Sequence, residues 1–261
     1  MKKVILFWFY KEPEICLNRL ENLKKHNPDL QIFWLYGWPE SEKDQYKDVL
    51  WQHLDDFYML ENENSDWKWR NWDIALQERY KNRWKELDFD SVYIIQWDIL
   101  IFESLEKIFK DYKKNQVFFS WTITLSEDIE EKWSWTNNNE ERPKYLKFKW
   151  YIKENFNYKD QLLCCLPMFE ILPRIFFEMY WKIDNLELGF IEYRKPTYAK
   201  ILWIDLYQKD LGVWRFQDKS KLPMNATSTE IKPEYILNEL KKKDWRRMFH
   251  PYYKKRDNNK I

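Results

Sequence analysis

The chain has 261 residues, 44% of them hydrophobic, which is enough to fill the core of one large α/β domain or two small ones. Its 44 Lys and Arg nearly cancel 43 Asp and Glu, so no global charge attracts nucleic acid, and no apolar run reaches the roughly 18 residues of a membrane span. Three cysteines (Cys16, Cys164, Cys165) make neither a disulfide framework nor a metal-ligand spacing, which fits a reducing, cytoplasmic setting.

Lys3 to Tyr10 is a predicted strand, because "VILFWFY" follows Met1-Lys2-Lys3 with no small-residue cleavage site to mark a signal peptide. A helix is expected from Pro13 to about His26. Proline suits its first turn, and Ile15, Leu17, Leu20 and Leu23 recur at helical spacing. Asn27-Pro28-Asp29 stops it, and "LQIFWLYG" reads as a second strand closed by Gly37. This β-α-β opening predicts a parallel sheet. "DFYML" is a candidate short third strand, and Trp72 or Asp73 to Trp84 a helix with Ile74, Leu76, Tyr80 and Trp84 inward. "SVYIIQWDILIF", residues 91 to 102, reads as one buried strand. A short helix in "ESLEKIFKDY" and a strand in "QVFFSWTITL" follow. "SEDIEEKWSWTNNNEERPK" is polar and irregular, the pattern of a mobile loop. "QLLCCLPMFEIL" leads into a helix from Pro173, "KPTYAKILWIDL" reads as another, and Gly212 to Phe216 as a late strand. No repeat, linker or composition break divides the chain. The expectation is a single α/β domain over 1–261, with a basic tail from Lys241 to Ile261 that holds nine basic residues against Asp244 and Asp257.

Glycine occurs only three times, against an average of about 7%, while tryptophan occurs 17 times. A fold with many turns needs glycine for positive φ and for close backbone approach. Trp38 in "LYGWPE", Trp72 in "WRNWDIAL", Trp121 in "FFSWTITLS" and Trp203 in "AKILWIDL" all stand at such places. The hypothesis is that many of these tryptophans are glycine codons, a reassigned UGA stop, translated here as tryptophan. The alternative is an aromatic-rich, sugar-stacking protein, and UGG codons at these positions would reject the hypothesis.

Asp98 is the one charge in an otherwise apolar strand. A buried carboxylate without a partner is costly, so it calls for a hydrogen-bonded partner, a helix N-terminus or a cation. In parallel α/β sheets ligands gather outside the carboxyl ends of the strands. A carboxylate there can hold a hard divalent cation whose shell phosphate oxygens complete. Read without context, Asp98 serves equally as a loop or capping carboxylate, Asp73 as a helix N-cap, Glu192 with Arg194 as an ion pair at a helix start, and His250 as a structural histidine.

The succession "VILFWFY", helix, "QIFWLYG", "NWDIALQERY", "VYIIQWDILIF" resembles the GT-A glycosyltransferases. The resemblance implies a Rossmann-like, mixed, mainly parallel sheet flanked by helices, and transfer of a sugar from a nucleotide-diphosphate sugar. In that family a D-x-D motif follows a buried strand, and its last Asp holds Mn²⁺ or Mg²⁺ against the donor diphosphate. Here Gln96-Trp97-Asp98 keeps only the final acid. On this resemblance Asp98 is the metal ligand and a catalytic residue, with Gln96 and Trp97 beside the donor. Lys68, Arg70 and Asp73 form a nucleotide-contacting loop, with Arg194 as a further contact. Glu192 is the candidate base or acceptor contact. Late in the chain, His250 is a second metal ligand and Lys254 offsets charge on the leaving diphosphate.

The expected partners are a UDP- or GDP-sugar and a glycan, lipid-linked or small-molecule acceptor, with no nucleic acid. The basic tail predicts peripheral contact with the inner membrane face. A sugar-phosphate nucleotidyltransferase would share the sheet and the metal Asp, but it carries a Gly-rich basic loop that "FWFYKEPEI" lacks. A non-catalytic carbohydrate-binding protein fits if the tryptophans are genuine.

Overall fold

The computed structural model describes residues 1–9, 12–37, 40–60, 62, 64–213, 222–227, 229–243 and 246–255. Trp38 and residues 214–216 of the expected late strand lie outside them. In chain order the first half contains β1 (Lys3–Phe9), α1 (Pro13–His26), β2 (Ile32–Tyr36), α2 (Lys43–Leu50), β3 (Asp56–Met59), α3 (Ser65–Arg70), α4 (Trp72–Arg79), β4 (Ser91–Gln96), β5 (Leu100–Ile101), α5 (Leu105–Ile108), β6 (Phe118–Phe119) and β7 (Ile123–Thr124). The second half contains α6 (Glu127–Lys132), α7 (Ser134–Asn137), α8 (Glu141–Phe156), β8 (Leu163–Cys164), β9 (Phe169–Pro173), α9 (Arg174–Tyr180), α10 (Ile191–Ile201), α11 (Pro233–Leu240) and β10 (Met248–Phe249).

The main sheet has six strands in the order β3-β2-β1-β4-β9-β6. Strands β3, β2, β1 and β4 run parallel, β9 runs against β4, and β6 runs against β9. This is a mixed, mainly parallel sheet flanked by helices on both faces. Alternation along each strand feeds two cores. Leu6, Phe33, Leu35 and Ile94 meet Leu76, Phe177 and Tyr198 on one face. Ile5, Phe7, Trp34 and Ile95 meet Cys16, Leu20 and Leu50 on the other. Each such fully buried side chain contributes about 1.5–3 kcal/mol.

Helix α1 starts on Pro13 and ends with Lys24, Lys25 and His26 in its last turn, where cations favour the negative end of the helix dipole. Three expectations change. The run 91–102 is two strands rather than one: the chain turns at Trp97–Asp98, and β5 pairs with β10 outside the main sheet. "QVFFSWTITL" likewise splits into β6 and β7 around Trp121, with β7 pairing β8. The polar stretch from 126 is helical, carrying α6 and α7, and then α8, whose Tyr145, Phe148 and Ile152 recur at helical spacing and are buried. The helix expected from Trp72 to Trp84 is present, its last turn relaxing to π geometry over Tyr80–Trp84.

Candidate active site at the β1–β4 switch point

After β1 the chain builds outward through β2 and β3, then returns to place β4 on the other side of β1. That reversal opens a crevice at the carboxyl ends of β1 and β4. Asp98 stands there, just beyond Gln96, the last β4 residue, which is in register with Trp8. The turn is pinned by the Trp97 amide, which donates to the Trp8 carbonyl at 2.9 Å.

The C-terminal segment closes over this turn. The Tyr252 amide donates to the Asp98 carbonyl at 2.9 Å, and the Tyr253 ring packs on Trp97 with centroids 5.8 Å apart. His250 Nε2 lies 3.3 Å from Asp98 Oδ1, and both residues are buried. The other ring nitrogen, Nδ1, is 2.7 Å from the Asn225 carbonyl, which only accepts, so Nδ1 carries a proton and donates it. Nε2 of the neutral ring is then a lone pair aimed at a carboxylate. Asp98 Oδ1 has this ring nitrogen beside it and no other partner among the described residues.

Two acceptors facing one another at this distance need something positive between them. Without a cation that is a proton. Burial pulls the imidazole down, but the Asp98 charge and hydrogen bond, with the Asn225 carbonyl, hold it above its ordinary value. With the proton gone, Asp98 and His250 are the two side chains that would hold a divalent cation beside them. Adjacent ligands on an octahedral ion with bonds of about 2.1 Å lie about 3 Å apart, close to the observed separation. No group of three or more His, Cys, Asp or Glu side chains gathers around a common point among the described residues. The remaining ligands of such an ion would be phosphate oxygens and water.

Arg19 completes the site and escaped the sequence reading. Its guanidinium is fully buried, donates to the carbonyls of Tyr252 (2.8 Å) and Lys254 (2.7 Å), and lies 5.3 Å above the Tyr252 ring. Burial lowers it to about 10, against the opposing pull of Tyr252 and Asp98. The signal was present: an arginine three residues after Cys16 and one before Leu20, on the buried stripe of α1.

The other expected contacts are distributed differently. Gln96 is half-buried and donates to the Pro167 carbonyl at 3.3 Å, and Trp97 is buried. Lys254 is exposed and pairs with Glu230 at 3.0 Å, which raises its ammonium above its ordinary value. Asp73 and Arg194 were expected to meet a nucleotide and instead meet each other. Arg194 donates from Nε to Asp73 Oδ2 at 3.0 Å and from Nη2 to Oδ1 at 2.5 Å, with both side chains fully buried. The Tyr180 hydroxyl adds a bond to Oδ2 at 2.5 Å, and Arg194 also holds Asn71. Both Asp73 oxygens are therefore committed, and the pair reads as a clamp on the α3–α4 junction. Arg70 pairs with Glu141 at 2.9 Å and lies over the Trp135 ring, so its charge is also matched within the fold. Lys68 is buried in α3. Glu192 is half-buried in the first turn of α10, and its carbonyl accepts from Cys165. Because this segment is helical, residues two apart do not share a face, and Glu192 and Arg194 diverge.

Next to the clamp lies a second buried pair. Lys195 Nζ donates to Glu170 and sits 3.7 Å above the Trp72 ring, with Lys195 and Glu170 fully buried. Trp72 is itself buried against Trp8 at 4.6 Å, so its indole packs where a tight glycine turn was expected. Burial raises the Glu170 carboxyl to about 7, against the pull of Lys195 and with help from Asp73. A raised folded value means that the native state keeps a proton the unfolded chain has lost. This contribution is complete below about pH 4.5 and disappears as pH rises through 7, amounting to about 3 kcal/mol. Urea unfolding between pH 5 and 8 should show that decline, and Glu170→Gln should flatten it; an unchanged profile in the variant would refute the assignment.

An open cleft of about 470 Å³ lies at the far end of the β5–β10 ribbon, walled by residues that include Lys107, Lys209, Arg246 and Met248. Asp98 and His250 are not among its walls. No helix among the described residues is long and apolar enough to cross a membrane.

No protein-family model and no curated protein matches the chain. Among solved structures it is similar to the galactosyltransferase LgtC in complex with donor and acceptor sugar analogs, at 11% identity over 82% of this chain and 76% of that one, TM-score 0.44. It is similar to a cytidylyltransferase from Leptospira borgpetersenii serovar Hardjo-bovis, at 13% identity over 80% and 77%, TM-score 0.46. A shorter likeness is to residues 1–349 of S. aureus TarS, at 16% identity over 46% of this chain and 35% of that one, TM-score 0.33.

Proposed function

We propose that this protein is a GT-A-type glycosyltransferase that moves a sugar from a nucleotide-diphosphate sugar to a glycan, lipid-linked or small-molecule acceptor. The observation that carries the reading is the buried Asp98–His250 pair, 3.3 Å apart, at the switch point of the sheet. Asp98 and His250 would hold Mn²⁺ or Mg²⁺, and such an ion supplies charge stabilisation to a departing diphosphate. Arg19 keeps the 252–254 segment over the site, and Lys254 is proposed to leave its Glu230 partner and offset charge on the leaving diphosphate. Glu192 is the proposed base or acceptor contact. The clamp of Asp73 and Arg194 serves the site by holding the α3–α4 junction, and Lys68 and Arg70 flank it. Three buried free thiols support a reducing, cytoplasmic setting, and the basic tail supports contact with an anionic membrane face.

The test is a screen of UDP- and GDP-sugars for hydrolysis with and without Mn²⁺. At least one donor should turn over only with metal. Sugar binding with no turnover of any donor would favour a carbohydrate-binding module. Pyrophosphate release from a nucleoside triphosphate and a sugar phosphate would favour a nucleotidyltransferase.

A further inference from the structure

Six non-glycine residues among those described adopt positive φ: Glu12, Asn115, Trp121, Asn157, Asn185 and Trp203. Asparagine tolerates this region, whereas a bulky side chain there is an outlier. Trp203 sits at φ 58°, two residues past the end of α10. Its amide donates to the Lys200 carbonyl at 3.1 Å, and the Ile204 amide donates to Ala199 at 3.0 Å. Those two bonds are the Schellman closure of a helix, and the left-handed slot between them belongs to glycine. Ala199 and Ile204, the positions whose apolar side chains accompany the motif, are both buried in the same core cluster. The Trp203 side chain contributes nothing to offset the strain, being 93% exposed.

Trp121 sits at φ 54° in the break between β6 and β7. Strand β6 runs parallel to β4 through β9, so this turn lies on the same carboxyl edge as Asp98. Gly189 and Gly212, at φ 78° and 75°, show the same chain using glycine where it has it. Tryptophan and glycine together fill about the share that glycine alone takes in an ordinary domain.

We infer that the working polypeptide carries glycine at positions 121 and 203, and that these two codons are a stop triplet read as glycine in the cells that make it. Among the described residues the backbone marks these two tryptophans. Trp72, buried at an ordinary φ, is not among them.

Tandem mass spectrometry of the protein isolated from its own cells tests this directly. The tryptic peptides after Lys114 and Lys200 should show glycine at 121 and 203, and the gene should read UGA at both. Tryptophan at either position, or a UGG codon, overturns the assignment. Independently, W203G introduced into the full chain should shift the folding equilibrium roughly tenfold toward the native state, the cost of a left-handed residue with a Cβ. A W203G chain no more stable than the tryptophan form would count equally against it. Neither readout depends on catalysis, so the inference stands or falls apart from the transferase reading.

Discussion

Asp98→Asn is expected to lower metal-dependent donor turnover on the order of 100- to 1,000-fold, as removal of a charge-stabilising group from a developing anion does elsewhere. The substitution keeps the volume of the side chain and removes its charge. His250 then loses the anion that holds its imidazole above the ordinary value. The buried ring keeps its bond to the Asn225 carbonyl, so the turn and the 250–254 segment retain their backbone contacts. Thermal unfolding should therefore change little while Mn²⁺ binding, followed by calorimetry, disappears. His250→Gln should repeat the loss, because Nε2 is the second donor of the site. Unimpaired metal-dependent turnover in Asp98→Asn would sink the assignment. Lost turnover with unaltered Mn²⁺ affinity would move the cation elsewhere in the molecule.

The parts of this site that could be read in one dimension are those whose cause is local. Pro13 and the basic last turn mark α1 at both ends, and the apolar run ending in Asp98 marks β4 and its carboxyl edge. The break at Trp97–Asp98 was not legible, because β4 and β5 are both apolar although they belong to different sheets. Helix α8 was missed for the opposite reason: its buried Tyr145, Phe148 and Ile152 are spaced among lysines and follow a stretch whose polarity suggested a loop. Partners far apart in sequence were out of reach. Arg19 meets carbonyls more than 230 positions away, and Arg194 meets Asp73 across 121. A carboxylate before a helix and an arginine after a glycine look alike whether they bind a nucleotide or each other. Only the fold decides, and here it brings them together.

That pairing carries the second large expectation. Asp73→Ala should cost about 3–5 kcal/mol of stability, because it leaves the Arg194 guanidinium buried and unmatched. The magnitude follows from burial: both side chains are fully enclosed, so water cannot replace the lost carboxylate. Asn71 and the Gly189 carbonyl still accept from Arg194, but neither carries charge. Asp73→Ala combined with Arg194→Met should recover much of the loss, since an apolar pair of suitable volume removes the desolvation cost of both ions. Urea unfolding of the single and double variants gives the coupling between the two positions. A strong coupling would show that the loop expected to face a nucleotide is first of all a joint between α4 and α10. Additive effects of the two substitutions, or an Asp73→Ala chain as stable as the parent, would return Asp73 to the solvent side of the site and reopen its role as a donor contact.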